Sequence, residues 1–341
     1  MRHIGHIPDA WRFLIRATEE VEGVAVGMAP IHDVPEAPLR VFQQWASSPM
    51  RADMDYLVNF IEERKNPGHA NIHPNARILI SIAFAYHEGA VGGGAWDNVA
   101  CHARARDYHK TIKQKLLRII PHIQMEFPDA AYRILVDSAP IMERSWAVLA
   151  GVGTIGRNGM LIVPHVGPKV LLGEILLSQV PHISPNPSPT APFSVCAGCN
   201  LCVVACPTGA LNGDGLVNAR RCISYLSIEA GRAESGTRHA TPNSNERSDF
   251  FLIQKGNSFF GCDSCTEVCP LVEKIPCSLE APVHRHLAKD LIEISTMPEA
   301  ELQNRLQGTS LHRTGAATIK RNAKMLLQSV DAEAHIGVEN K

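Results

Sequence analysis

Eight cysteines of this chain carry a spacing that already implies chemistry. Cys196, Cys199, Cys202 and Cys206 follow one another as C-x2-C-x2-C-x3-C before Pro207, and Cys262, Cys265 and Cys269 repeat the last three positions of that run before Pro270. In such a run three thiolates hold one iron–sulfur cube and the fourth reaches across to a second. Two cubes require about eight thiolates. The two runs supply seven, and Cys222, the only cysteine between them, is the natural eighth. Crossed ligation then assigns Cys196, Cys199, Cys202 and Cys269 to one 4Fe-4S cluster, and Cys206, Cys222, Cys262 and Cys265 to the other. A proline after each final cysteine turns the chain away, since it can neither continue a helix nor donate a backbone hydrogen bond. The competing reading is a zinc ribbon built from two CxxC pairs. It explains neither the third cysteine of the first run nor the paired Cys-Pro endings, and zinc takes only four ligands.

Outside the cysteines the signals are weaker. Gly151, Gly153 and Gly156 spell the dinucleotide-binding G-x-G-x-x-G, with Glu174 downstream. That fingerprint must follow a strand and open a helix. Here a helical pattern precedes it and a strand pattern follows, so a helix C-cap at Gly151 is the simpler account. No Walker A loop and no H-E-x-x-H are present. Asp137 ends an apolar strand pattern and precedes a helix. There a carboxyl can act as a general acid if its pKa is raised, or Asp137 and Ser138 can cap the helix, and spacing alone favours the cap. Arg104, Arg106, Lys110, Lys113, Lys115 and Arg118 make one helix basic, as Arg313, Lys320, Arg321 and Lys324 do near the end. Such residues can meet phosphates, although a solvated helix face is the commoner meaning. None of the sixteen histidines falls in a metal-ligand spacing.

The elements that must position these groups are legible as apolar periodicity. Helices are expected at 8 to 22, across 37 to 64 with a break near Pro49, at 104 to 127 and at 140 to 150. Strands are expected at 24 to 28, 77 to 86, 132 to 136, 160 to 163 and 170 to 177, those at 77 to 86 and 132 to 136 buried on both faces. Helices alternating with buried strands predict a layered α/β domain over residues 1 to 183. Five prolines between Pro181 and Pro192 make a linker into a cluster domain over 184 to 285, and the remainder, 286 to 341, reads as helical. The glycine run 89 to 94 and the polar stretch 230 to 249 read as loops.

With 341 residues, 45% hydrophobic and 20% charged, the composition is that of an ordinary globular protein. Only Cys101 and Cys277 lie outside the cluster set, so a disulfide framework is not expected and a reducing compartment is. The first residues lack a secretory signal, and no stretch approaches the ~18 apolar residues of a membrane helix, which predicts a cytoplasmic protein without a membrane partner. A net charge of −1 gives no global pull on a polyanion, so a nucleic acid would be bound by a local patch.

Taken together, the motifs resemble the cobalamin-dependent epoxyqueuosine reductases, which complete queuosine in tRNA. The resemblance rests on the segments 104 to 110, 136 to 144, 150 to 158, 172 to 177, 206 to 211, 220 to 226 and 256 to 263, in the family's order. It implies a nitroreductase-like α/β/α cobalamin-binding domain joined to a two-cluster ferredoxin-like domain with a helical C-terminus. It implies Asp137 as proton donor, with Asn158, Ser224, Tyr225, Arg64 and Cys101 lining the cobalamin. It also implies electrons from an external low-potential donor such as ferredoxin or flavodoxin, passing through both clusters to cobalt, and a tRNA anticodon stem-loop carrying epoxyqueuosine as substrate. The rival classes are a reductive dehalogenase-like cobalamin enzyme and a non-catalytic electron-transfer subunit. The ~190 residues before the clusters are more than a carrier needs.

Overall fold

A computed structural model of the chain describes residues 1–86, 93–187, 189–230, 252–273, 275–280 and 287–336, with side chains through 328. Of the expected glycine loop only Gly93 and Gly94 are described, and the expected loop at 230 to 249 lies outside the described residues beyond Ala230.

The architecture is mixed α/β. A five-stranded sheet has the order β1-β2-β3-β7-β4, formed by His3–Ile4, Ala25–Pro30, Ile78–Ala85, Val170–Ser178 and Ala131–Leu135. Only β1 and β2 pair in parallel, and every other neighbour is antiparallel. A two-stranded hairpin of β5, Thr154–Ile155, and β6, Leu161–Ile162, stands apart. Strand β3 is buried along its whole length, as its unbroken apolar run requires of a central strand. Its residues divide by parity. Ile78, Ile80, Ile82 and Phe84 pack on one face with helices α1, Phe13–Glu20, and α4, Tyr108–Glu126, whereas Leu79, Ala83 and Ala85 pack on the other with α5, Glu143–Leu149.

Strand β4 corrects an expectation. It was to be buried on both faces, yet Ala131, Tyr132 and Arg133 are exposed, because β4 is an edge of the sheet and β7 covers only one side. The helices are also shorter than their patterns. The segment 8 to 22 opens with a 3-10 turn, and 37 to 64 holds only α2, Glu36–Ala46, and α3, Ile61–Lys65. Helix α4 starts at Tyr108, capped by the Asp107 side chain, so Arg104 and Arg106 precede it. Lys115 on that helix is buried, not solvated, with its ammonium on the Val21 carbonyl at 3.1 Å. Gly151, at φ 74°, follows the C-cap of α5 and leads into β5, as the helix-then-strand order predicts.

Each cysteine run threads one short helix, with Cys202 on α6, Leu201–Val204, and Cys265 on α8, Ser264–Glu267, and the two helices pack together; between them in sequence is α7, Ile223–Ile228. Helices α9, Leu291–Thr296, α10, Glu299–Arg305, and α11, Ala316–Ile336, complete the chain. They share a third core with Trp96, Val99, Leu226 and Phe259. Asn322, fully buried on α11, clamps this core by donating to the carbonyls of Ser227 and Phe259, each at 2.9 Å. Among the described residues no helix is long and apolar enough to cross a membrane.

Candidate active site

Asp137 follows β4 in a left-handed backbone, φ 48°, which few residues bearing a Cβ adopt. It caps no helix. The N-cap of α5 is Met142, with no side-chain bond, so the cap expected from spacing is not formed. The Asp137 N–H instead donates to Glu143 Oε1 at 2.7 Å, and this turns the carboxyl away from α5. That carboxyl, 61% exposed, accepts from Tyr108 Oη at 2.6 Å and lies 3.6 Å from His109 Nε2. Desolvation pushes its pKa up, but the bonds from His109 and Tyr108 outweigh this and hold the carboxyl below its ordinary range.

The two ring nitrogens of His109 have different partners. Nδ1 is 2.7 Å from Asp107 Oδ1, while Nε2 is 3.1 Å from the Arg313 guanidinium as well as facing Asp137. Burial lowers the pKa of His109, but the two carboxylates prevail and raise it. The imidazole can therefore carry a proton toward Asp137. The Tyr108 hydroxyl is pushed far up by burial and by Asp137, so it stays protonated.

The cysteines come together in two sets. Burial raises Cys202 and Cys269, and each is raised further by Cys196 and Cys199. Burial likewise raises Cys222, Cys262 and Cys265; Cys222 feels Cys206, Cys262 feels Cys222, and Cys265 feels Cys262, Cys222 and Cys206. Cys265 also feels Cys202, so the sets adjoin. Burial raises Cys206 too, but the Thr208 hydroxyl and the N–H groups of Thr208, Ala210 and Leu211 outweigh it; the Ala210 N–H is 3.2 Å from its sulfur. A single zinc ion would draw its sulfurs to about 3.8 Å from one another. Among the described residues, only Cys101, Asp263 and Glu267 bring three ligating atoms within 4.8 Å. No three of the eight thiols therefore lie within that distance of one another.

Of the residues expected around cobalamin, Cys101, Asn158 and Ser224 lie at the seam where the first domain meets the cysteine runs and Cys222, whereas Arg64 and Tyr225 bond to residues between 53 and 57. The Cys101 N–H donates to Asp263 Oδ2 at 2.6 Å, and burial first, then the Asp263 charge, pushes its thiol up to about 12. Asn158 is buried and donates to the Cys265 carbonyl at 3.2 Å. Tyr225 hydrogen-bonds Asp53, and Ser224 bonds to the sulfur of Cys222. Arg64 is buried over the Phe42 ring, donating to the Leu57 carbonyl at 2.9 Å, and burial lowers its pKa. Beside the Asp137 loop, a cavity of about 430 Å³ is lined by Lys113, Leu117, Tyr132, Arg133 and Ser138.

Sequence reasoning did not single out Asp107, Tyr108, His109 or Glu143, and it named Arg313 only as part of a basic stretch. The first four lie within segments that carry the family resemblance, yet no spacing sets them apart there. Arg313 is ~200 positions from His109, and the distance along the chain hid their contact.

Comparison with known proteins gives a consistent result. Residues 50–138 match a family model described as "Epoxyqueuosine reductase QueG, DUF1730", and residues 195–271 match a "4Fe-4S double cluster binding domain". The chain is 30% identical to the epoxyqueuosine reductase of Aliivibrio fischeri, over 84% of this chain and 74% of that one. It is 34% identical to that of Cyclobacterium marinum, over 67% and 68%, and 30% identical to that of Synechocystis sp., over 89% and 100%. A crystal structure of an epoxyqueuosine reductase with an epoxyqueuosine-modified tRNA-Tyr stem-loop superposes with a TM-score of 0.71 at 26% identity, over 93% of this chain and 80% of that one. A selenomethionine-labelled epoxyqueuosine reductase gives 0.73 at 25% identity, over 94% and 82%.

Proposed function

The chain belongs to the epoxyqueuosine reductase family and is an oxidoreductase, and from that premise we propose that it converts epoxyqueuosine to queuosine at the tRNA wobble position, using two 4Fe-4S clusters and cobalamin. The observation that carries this reading is the exposed Asp137 carboxyl, whose Oδ2 accepts from the Tyr108 hydroxyl and lies 3.6 Å from His109 Nε2.

The thiols would hold the clusters as two adjoining sets, Cys196, Cys199, Cys202 and Cys269 beside Cys206, Cys222, Cys262 and Cys265. Arg64, Cys101, Asn158, Ser224 and Tyr225 would hold the cobalamin. Two buried polar atoms close in sequence to these residues, Arg157 Nε beside Asn158 and Asn218 Oδ1 four positions before Cys222, have no hydrogen-bond partner among the described residues, a state that a polar ligand would relieve. When bound, cobalamin supplies a strongly reducing metal centre, fed through the clusters by an external low-potential donor such as ferredoxin or flavodoxin.

Removing the epoxide oxygen as water takes two electrons and two protons and leaves a carbon–carbon double bond. Asp137 delivers a proton to the departing oxygen. Its lowered pKa means that it must be loaded first, and His109, 3.6 Å away, would do so from Nε2 once that nitrogen is released by the Arg313 guanidinium, which can only donate to it. Asp107 keeps the ring oriented, and Tyr108 fixes the carboxyl. Lys113 and Arg133, lining the neighbouring cavity, offer positive charge to the phosphates of the stem-loop despite the balanced net charge.

The test is anaerobic reconstitution with iron, sulfide and cobalamin, followed by turnover with a chemical reductant on tRNA bearing epoxyqueuosine, read by nucleoside mass spectrometry. Appearance of queuosine is expected. Corrinoid and iron bound without conversion would discard the substrate, and absence of corrinoid binding would favour an electron carrier.

A further inference from the structure

Three carboxyls run from the middle of the sheet out to the open seam. The innermost is Glu174 on β7, paired in register with Ser81 on β3 and Leu135 on β4. It is fully buried under α5, and neither of its carboxyl oxygens nor the Ser81 hydroxyl has a hydrogen-bond partner among the described residues. Next is Glu143, the first residue of α5, and outermost is Asp137. A single bond, from the Asp137 N–H to Glu143 Oε1 at 2.7 Å, closes the loop between β4 and α5. It does so at the residue whose left-handed backbone needs support.

We propose that Glu143 is a positioning residue, whose carboxylate latches the Asp137 loop so that the Asp137 carboxyl faces the seam. The proposal rests on the reading of Asp137 as the proton donor. A charged acceptor holds an N–H more firmly than a neutral one, so the latch weakens when Glu143 takes up a proton. Burial first, and then the Asp137 charge, pushes Glu143 up to about 7, within the working pH range. The groups that face it are Asp137, Glu174 on β7, Arg144 on α5, Tyr108 and His109 on α4 and Arg64 on α3. Arg144 and His109 favour its charged form, whereas Glu174 would oppose it if ionised. Burial, with the Glu143 and Asp137 charges, holds Glu174 well above its ordinary value and therefore neutral, so Glu143 is left free to ionise.

The test uses the reconstituted full-length protein carrying Glu143→Gln, Glu143→Ala, Glu174→Gln or Asp137→Asn. Two readouts are taken across pH 5.5 to 8.5: hydrogen exchange of peptides covering 136–142, normalised to a distant peptide, and kcat and KM. Glu143→Gln is nearly isosteric and keeps an acceptor oxygen without the charge. It should speed loop exchange and lower kcat by about tenfold each, with KM unchanged, and erase the rise of kcat through neutral pH. Glu143→Ala should do more, and Glu174→Gln, which keeps the neutral neighbour, should stay near wild type. Unchanged exchange and pH profile in both Glu143 variants would overturn the proposal. Faster exchange with unchanged kcat, while Asp137→Asn is inactive, would also overturn it and leave the Asp137 reading standing. Turnover by Asp137→Asn at the wild-type rate would overturn the reading and the positioning role together.

Discussion

The thiol sets and the Asp137 corner place their reactive groups by different routes. Seven of the eight thiols come from two short runs in and around the adjacent helices α6 and α8, and only Cys222 is brought in from elsewhere. Around Asp137 the contributors come from α4, the loop before α5, α5 itself and the turn before α11. Clusters need several like atoms at fixed spacing, which a local run can provide. An acid needs unlike partners on different sides, each setting its charge, and separate elements must supply them. The first arrangement is robust to its surroundings, and the second depends on the whole domain.

The largest effect tests the thiol side. Cys222→Ser should abolish turnover and reduce iron from about eight to about four atoms per chain, because one set loses a ligand while the other is intact. Iron analysis and low-temperature electron paramagnetic resonance check this, and retention of both clusters would remove Cys222 from the set. On the acid side, Asp137→Asn should lower kcat by ~10²–10⁴-fold with iron content unchanged, as expected for loss of one proton donor. Iron loss in that variant would mean that the two regions are not separable.

Stability sharpens the comparison. Asn322→Ala leaves two buried carbonyls without their donor and should cost roughly 2–4 kcal/mol in denaturant unfolding, by loosening the core that packs α11 against α7. Glu174→Gln should stabilise the protein at neutral pH. The wild-type carboxyl has a folded pKa raised above 4.5, so it binds more protons folded than unfolded, and its contribution falls as pH rises from 4.5 toward the folded value. The slope is up to about 1.4 kcal/mol per pH unit, and the glutamine variant should lose it. A smaller effect concerns His109. Its raised pKa predicts that kcat falls as pH rises through that value and the imidazolium is lost, and His109→Gln should lower the plateau and remove that limb.

The cysteine pattern by itself predicts which residues group, down to the crossed sets, because ligation by consecutive thiolates is a local matter of spacing. The apolar runs determined β3 as a buried central strand, β7 as a strand, and α4 and α5 as helices, since burial on two faces or on one stripe is written in periodicity. Periodicity could not distinguish a central strand from an edge strand, so β4 was misread: its neighbours, not its residues, set its exposure. Spacing also assigned Asp137 to a helix cap, where tertiary structure gave its N–H to Glu143 and its carboxyl to Tyr108 and His109. A carboxyl takes whichever partners the fold brings within hydrogen-bond reach, and those partners, from Asp107 to Arg313, meet only when β4, α4 and the chain before α11 are packed together.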